Sequence, residues 1–241
     1  MANVTDATAP HLDLDVSAAP LAPRWHTALL VTLMLMVGGL GIALHLLGHL
    51  PAVATPVPKI GALYVPEIIV EWALALWCIR ILRGKSALAA LVGRGWNRVR
   101  RAALDLGCAA GLVVLIVGGE TIWAHFSAAT PSAAVLAILP VTPLEKAVWV
   151  LVAMSAGFCE EVVYRGYLYV QLSAFLRSRN AAIVGQALLF GLAHAQQGLG
   201  PALRFSVYGI AFAVVAVRRR SLYAGIVAHT AIDLASGLLH H

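Results

Sequence analysis

Ionisable side chains recur at helical spacing in the second half of an otherwise apolar sequence. The run GFCEEVVYRG, residues 157–166, places Glu160 and Glu161 side by side, with Arg165 four residues after Glu161. Residues four apart share a helix face, so we expect Glu161 and Arg165 to form an ion pair. Glu160 then lies about 100° around the helix, where it can face a cavity. Each such group costs on the order of 3 kcal/mol inside a bilayer, which indicates a functional reason for the cluster.

Two further polar pairs interrupt apolar segments downstream. Phe190 and His194 are four residues apart, as are His229 and Asp233, so each pair shares a helix face. Hydrolysis of a peptide bond needs a base for water, a proton for the departing amine and donors toward the oxyanion. The convergence of these groups with Glu160 therefore predicts a hydrolytic site built from three helices.

The elements that position these groups are predicted to be membrane helices. Of the 241 residues, 61% are hydrophobic and only 12% are charged, which excludes an ordinary soluble domain. A span needs roughly 20 apolar residues, and we predict an all-α, polytopic transmembrane bundle with about seven membrane segments and a short interfacial helix. The predicted segments are Trp25–Leu47, Ile60–Ile81, Ala102–Trp123, Leu144–Cys159, Ala181–Ala195, Phe205–Val217 and Leu222–Leu239.

Several of these segments have irregular ends. The fourth to sixth are short for a full span, so we expect them to be extended by neighbours such as Tyr167–Phe175, tilted, or partly re-entrant. The interfacial helix and a proline-marked break, at Pro140 and Pro143, are predicted within Ala133–Val150, before the fourth span.

The basic residues indicate topology rather than a nucleic-acid partner. Most of the 17 lysines and arginines fall on one side of the membrane if the seven segments alternate. By the positive-inside rule that side is cytoplasmic, which predicts a multi-pass integral membrane protein with its amino terminus inside and its carboxyl terminus outside. Residues 1–24 lack the basic start of a signal peptide and are predicted to be a disordered tail. Residues 25–130 are predicted to be a transmembrane scaffold and residues 131–241 the domain that carries the chemistry.

The motifs EExxxR, FxxxH and HxxxD, in that order, resemble those of the CPBP family, also called the Abi or type 2 CAAX prenyl endopeptidase family. The similarity spans about Leu144 to Leu239 and includes Arg165-Gly166-Tyr167-Leu168, which matches the family's RGYL extension. The resemblance implies an intramembrane endopeptidase that cuts near the cytoplasmic side of the membrane. The implied partners are membrane lipid and a peptide or protein substrate, prenylated in the case of the eukaryotic members.

The resemblance also implies a division of labour among the site residues. Glu160 and His194 would activate a water as general base, and His229 would polarise the scissile carbonyl. Glu161 and Arg165 would support the site by pairing. Phe190 is expected to pack rather than react.

One departure from the family pattern concerns Asp233, because the last motif usually ends in asparagine. An ionised aspartate has no hydrogen to donate to an oxyanion, so our hypothesis is that burial keeps Asp233 protonated, as other apolar sites do for a carboxylic acid. We prefer a reaction without a cofactor because the histidines lack the HExxH spacing of zincins. Zinc held by Glu160, His194, His229 and Asp233 is the alternative.

Two alternatives come from other functional classes. Glu67, Glu71 and Glu120 also lie in apolar segments and permit a proton-coupled transporter, although we favour snorkelling or hydrogen bonding near the outer interface. A catalytically silent membrane adaptor, as in bacteriocin immunity, would keep the motif only for packing.

Overall fold

The computed structural model of this chain describes residues 20–47, 58–82, 87–93, 95–127 and 133–239. Within these ranges the all-α prediction is confirmed, because no strand forms and a single isolated bridge joins Gly93 to Ser221. The α-helices are α1 (Arg24–Leu46), α2 (Val65–Ile81), α3 (Ala87–Val92), α4 (Val99–Ser127), α5 (Ala133–Ile138), α6 (Pro143–Glu160), α7 (Tyr169–Leu176), α8 (Arg179–Ala193), α9 (Leu199–Arg219) and α10 (Tyr223–Leu238). Two π-helical segments, Ile60–Tyr64 and Glu161–Leu168, and a 3-10 turn, Ala195–Gln197, complete the secondary structure of the described residues.

Among the residues that the structure describes, five helical stretches are long and apolar enough to cross a membrane. They are Arg24–Leu46, Ile60–Ile81, Val99–Phe126, Pro143–Leu176 and Leu199–Arg219. Helices α8 and α10, where we predicted the fifth and seventh spans, have 15 and 16 residues. At a rise of 1.5 Å per residue they are about 23 Å long, less than the roughly 30 Å of a hydrocarbon core. All seven predicted segments are thus helical, but a count of seven crossings is not confirmed.

The outer surface of the bundle has the character of a lipid-facing surface. On α1, Leu29, Leu33, Met36 and Leu40 recur at helical spacing and are 44–67% exposed. A soluble protein rarely exposes such a continuous apolar stripe. Lipid contact explains the stripe and agrees with the predicted membrane location.

Buried polar bonds fasten the first helix to the second half of the chain. The hydroxyl of Tyr167 lies 2.6 Å from His26 Nδ1 and 3.1 Å from Thr27 Oγ1. The side chain of Gln171 accepts from Ala22 N at 3.1 Å and donates to Ala22 O at 3.0 Å. Ala22, near the end of the predicted tail of residues 1–24, thus provides the backbone partners that the buried glutamine amide needs. Residues 1–19 of that tail lie outside the described residues.

The motif-bearing helix is longer than the predicted Leu144–Cys159. Helix α6, the second π-helical segment and α7 form one continuous helix, Pro143–Leu176. We expected such an extension of this segment by neighbouring residues. It begins with a capping box, in which Glu145 N donates to Thr142 Oγ1 and Glu145 Oε2 accepts from Thr142 N. It ends at Arg177, which adopts the left-handed conformation with φ of 50°. The predicted proline break is confirmed, because α5 ends at Ile138 and Pro143 opens α6.

A glycine sets the distance between the two helices that carry the acidic and imidazole groups. Gly157 of α6 faces α10, and a Cβ at this position would stand 2.8 Å from Thr230 N and overlap Thr230 Oγ1. Small residues allow helices in membranes to approach this closely. Gly157 therefore brings Glu160, three residues later on α6, within reach of α10.

We expect Gly157→Ala to destabilise the protein because the added methyl group has no space between α6 and α10. Overpacking of this kind costs about 1–3 kcal/mol, whereas Gly118→Ala, whose Cβ meets nothing within 4 Å, should gain about 0.5–1 kcal/mol from helix propensity. Thermal unfolding midpoints in detergent measure both effects. Equal midpoints for the two variants would contradict the proposed close contact.

Candidate active site

The EExxxR motif lies where α6 changes into the π-helical segment Glu161–Leu168, called the π segment below. Glu160 is the last α-helical residue, Glu161 begins the π segment, and all eight residues of that segment are buried. Regular α-helical geometry, which we expected for the whole motif, ends at Glu160. π-helical turns inside α-helices are frequently found at functional sites, and this one coincides with the motif.

The predicted ion pair between Glu161 and Arg165 is present. Arg165 Nη1 lies 2.9 Å from Glu161 Oε1, and both side chains are fully shielded from solvent. The guanidinium also stacks on aromatic rings, 4.3 Å from the centroid of Phe190 and 5.1 Å from that of Phe212. Gly225 of α10 leaves room for the carboxylate, because a Cβ there would stand 2.5 Å from Glu161 Oε2.

His229 occupies the centre of a cluster of three carboxylates. Its Nε2 lies 3.5 Å from Glu160 Oε2 and 3.6 Å from Asp233 Oδ2. Its Nδ1 lies 3.4 Å from Glu161 Oε1. Only 9% of the residue is exposed, so these charges interact with little screening by water. The structure therefore brings Glu160, Glu161, His229 and Asp233 together, as the sequence predicted.

His194 lies at the end of α8 rather than inside it. The predicted fifth segment ran to Ala195, but α8 ends at Ala193 and His194 leaves the helix with φ of −100° and ψ of 8°. The His194 Nδ1 lies 2.9 Å from the carbonyl oxygen of Phe190. Its ring stacks on Phe205 of α9, with centroids 4.0 Å apart. Two contacts thus hold the imidazole in one orientation.

Phe190 connects the two histidines. Its ring centroid lies 4.9 Å from that of His194 and 6.0 Å from that of His229. The charges of His194, Glu160 and His229 also interact. Phe190 therefore packs near both imidazoles, as expected.

Glu71 on α2 was expected near the outer interface, apart from the site. Its Oε2 is shielded from solvent and has no hydrogen-bond partner among the described residues. Glu71 shares a helix face with Ala75 and Cys78, which are both fully buried. Trp72 Nε1, next to Glu71, donates to Ser155 Oγ of α6 at 3.0 Å and so holds α2 against the motif-bearing helix.

Electrostatic interactions connect Glu71 with the carboxylate cluster. The charge of Glu71 interacts with the charges of Glu160, Asp233 and Glu67. The charge of Glu67 likewise interacts with those of Glu160 and Asp233. Glu71 is therefore part of the surroundings of the site rather than an isolated group at the outer interface. The sequence indicates this position through spacing, because Ala75 and Cys78 follow Glu71 by four and seven residues and so share its helix face.

The zinc alternative requires ligands from Glu160, His194, His229 and Asp233. In the part of the chain that the structure describes, no group of three His, Cys, Asp or Glu side chains is placed to hold a metal ion. His194 directs Nδ1 to the Phe190 carbonyl, so its Nε2 is the nitrogen that remains for a metal. The zinc alternative at these four residues therefore stays a prediction.

Comparison with known proteins identifies the segment that carries the site. Residues 142–235 match the family model described as type II CAAX prenyl endopeptidase Rce1-like. Searches of curated proteins and of solved structures found no significant match. The matched segment begins at the N-cap of α6 and contains all seven predicted site residues. The resemblance predicted from the motifs is thereby confirmed, and residues 142–235 are similar to the type II CAAX prenyl endopeptidases of the Rce1-like family.

Proposed function

We propose that this chain is an intramembrane endopeptidase in which Glu160 and His194 activate a water molecule to attack a peptide bond. The observation that carries the proposal is the position of Glu160. Its Oε2 is shielded from solvent, accepts no hydrogen bond from the described residues, and lies 3.5 Å from His229 Nε2. A carboxylate oxygen with a free lone pair beside a polarising group is suited to take a proton from water.

His194 supports this role through its hydrogen bond to Phe190. A carbonyl oxygen only accepts hydrogen bonds, so the 2.9 Å contact requires the proton on His194 Nδ1. In the neutral ring, Nε2 then keeps a lone pair and can serve as a base or proton carrier. The stack on Phe205 fixes the direction of that lone pair.

His229 is placed for the opposite role. Its Nε2 lies 3.5 Å from Glu160 Oε2 and its Nδ1 lies 3.4 Å from Glu161 Oε1, and ionised carboxylates only accept hydrogen bonds. A ring with N–H groups on both nitrogens fits these surroundings. Such a ring donates toward the carbonyl oxygen of a substrate and stabilises the negative charge that develops there.

Asp233 completes the donor side in this proposal. Its Oδ2 lies 3.6 Å from His229 Nε2, so the two groups can approach one substrate oxygen together. As a carboxylic acid, Asp233 would donate a hydrogen bond as the amide of asparagine does in the family pattern. The proposed cleavage is near the cytoplasmic side of the membrane, and the substrate class is a peptide, lipid-modified or not.

We expect Glu160→Gln to lower kcat by about 10²–10⁴-fold, because an amide cannot take the proton from water. The matched control is Glu145→Gln in the same helix, since glutamine also completes a capping box. Purified wild type and both variants are incubated in detergent with prenylated and unprenylated peptides, and the products are quantified by mass spectrometry. Cleavage by folded Glu160→Gln at the wild-type rate would contradict the proposed base. No cleavage of any peptide by wild type would favour the adaptor alternative.

The role of Asp233 as a donor predicts that Asp233→Asn stays active and extends activity to higher pH. Asparagine donates at every pH, whereas a carboxylic acid stops donating when it ionises as the pH rises. The control Asp233→Ala removes the donor and should lose about 10²-fold in kcat. The pH–rate profiles of the three proteins give the result. A folded but inactive Asp233→Asn variant would show that a carboxylate is required.

A reaction without metal predicts that chelators leave the activity unchanged. We expect less than about 0.1 zinc per chain by elemental analysis, since a functional zinc site is occupied near unity. Treatment with 1,10-phenanthroline followed by gel filtration should preserve peptide cleavage. Loss of cleavage that added zinc restores would replace this proposal with the zinc-dependent alternative at the same residues.

A further inference from the structure

A second polar site shares no residue with the candidate active site. A cavity of about 370 Å³ opens between the first turns of α4 and the end of α9. Its charged lining, called the arginine pocket below, consists of Arg100, Arg101, Asp105, Arg218, Arg219 and Arg220. These arginines serve no purpose in the proposed hydrolysis.

The charges of the arginine pocket are not balanced by its own side chains. Asp105 is the one carboxylate among the described lining residues, and it is only 2% exposed. Its two oxygens are already engaged, by Arg219 Nε at 2.6 Å and by Trp96 Nε1 at 2.9 Å. Arg101 donates to the neutral amide of Asn97. The remaining lining therefore presents an excess of positive charge.

Arg219 joins the two arginine-bearing segments, by donating to Asp105 Oδ1 at 2.6 Å and to Arg101 O at 3.5 Å, and the backbone holds the turn after α9 in place. Leu222 N donates to Val92 O at 2.9 Å, and Gly93 and Ser221 form an antiparallel bridge. The turn after α9 is thus fastened to the end of α3. Like charges that cannot move apart repel each other, and an anion bound between them relieves that repulsion.

The position and chemistry of the arginine pocket favour a phosphate group as its ligand. Guanidinium groups bind phosphate through two parallel hydrogen bonds, and several of them line one cavity here. The pocket lies at the ends of two helices that are apolar enough to cross a membrane, which is the depth of lipid headgroups. We propose that the arginine pocket binds the phosphate of an anionic phospholipid.

The test compares two pairs of exposed arginines in the full chain. Arg100→Gln with Arg218→Gln removes two pocket residues, and Arg80→Gln with Arg98→Gln removes two exposed arginines that do not line the pocket. Native mass spectrometry of the detergent-purified proteins, titrated with phosphatidylglycerol, gives the dissociation constants. In detergent no charged membrane surface attracts the other arginines, so we expect only an arginine that contacts the bound headgroup to contribute, by about fivefold in affinity. We expect the pocket pair to bind roughly 20- to 30-fold more weakly, and the control pair to bind like wild type.

Two further titrations distinguish a lipid phosphate from free phosphate. Phosphatidylcholine, which is zwitterionic, should bind weakly to every protein, and millimolar inorganic phosphate should not displace phosphatidylglycerol. Equal losses in both arginine pairs, or none, would overturn the proposed site. Displacement by inorganic phosphate would overturn the lipid and leave a free-phosphate site. If the pocket pair fails to fold, Arg218→Gln alone should show a fivefold loss, and an unchanged affinity would overturn the proposal.

Discussion

A glutamate and an arginine that are both fully shielded from solvent form the interaction on which the candidate site depends. Removing these ions from water costs several kcal/mol each, so the bundle must balance them internally. Arg165 does so with Glu161 at 2.9 Å and with the rings of Phe190 and Phe212. Glu161 in turn meets His229 Nδ1. One buried pair thereby connects the π segment with the ring of Phe190 and with the central imidazole.

The parts of the site that depend on local spacing were predictable from the sequence. The pair of Glu161 and Arg165, and that of His229 and Asp233, are four residues apart, and both pairs are in contact in the structure. The predicted helical segments also agree, since a run of apolar residues is a strong local signal. Local spacing and hydropathy therefore defined which groups share a face, and the order of the motifs indicated which helices meet.

The parts that depend on neighbouring helices were not predictable. The π segment after Glu160 has no signature in hydropathy, and its wider turn is stabilised by packing against the rest of the bundle. The approach of α2, which brings Glu71 toward Glu160, depends on the contact of Trp72 with Ser155. The end of α8 before His194 also escaped prediction, because boundaries of helices are the least reliable part of a sequence-based assignment.

The electrostatic interaction between Glu71 and Glu160 bears on the transporter alternative, since interacting carboxylates also suit a proton relay. Two features favour hydrolysis over a relay. Transporter sites are typically built from discontinuous helices, whereas the helix that carries Glu160 is continuous from Pro143 to Leu176. A relay also needs no imidazole held in a single tautomer, yet His194 is fixed in this way by the Phe190 carbonyl. A directed lone pair is the requirement of a base that acts on one substrate water.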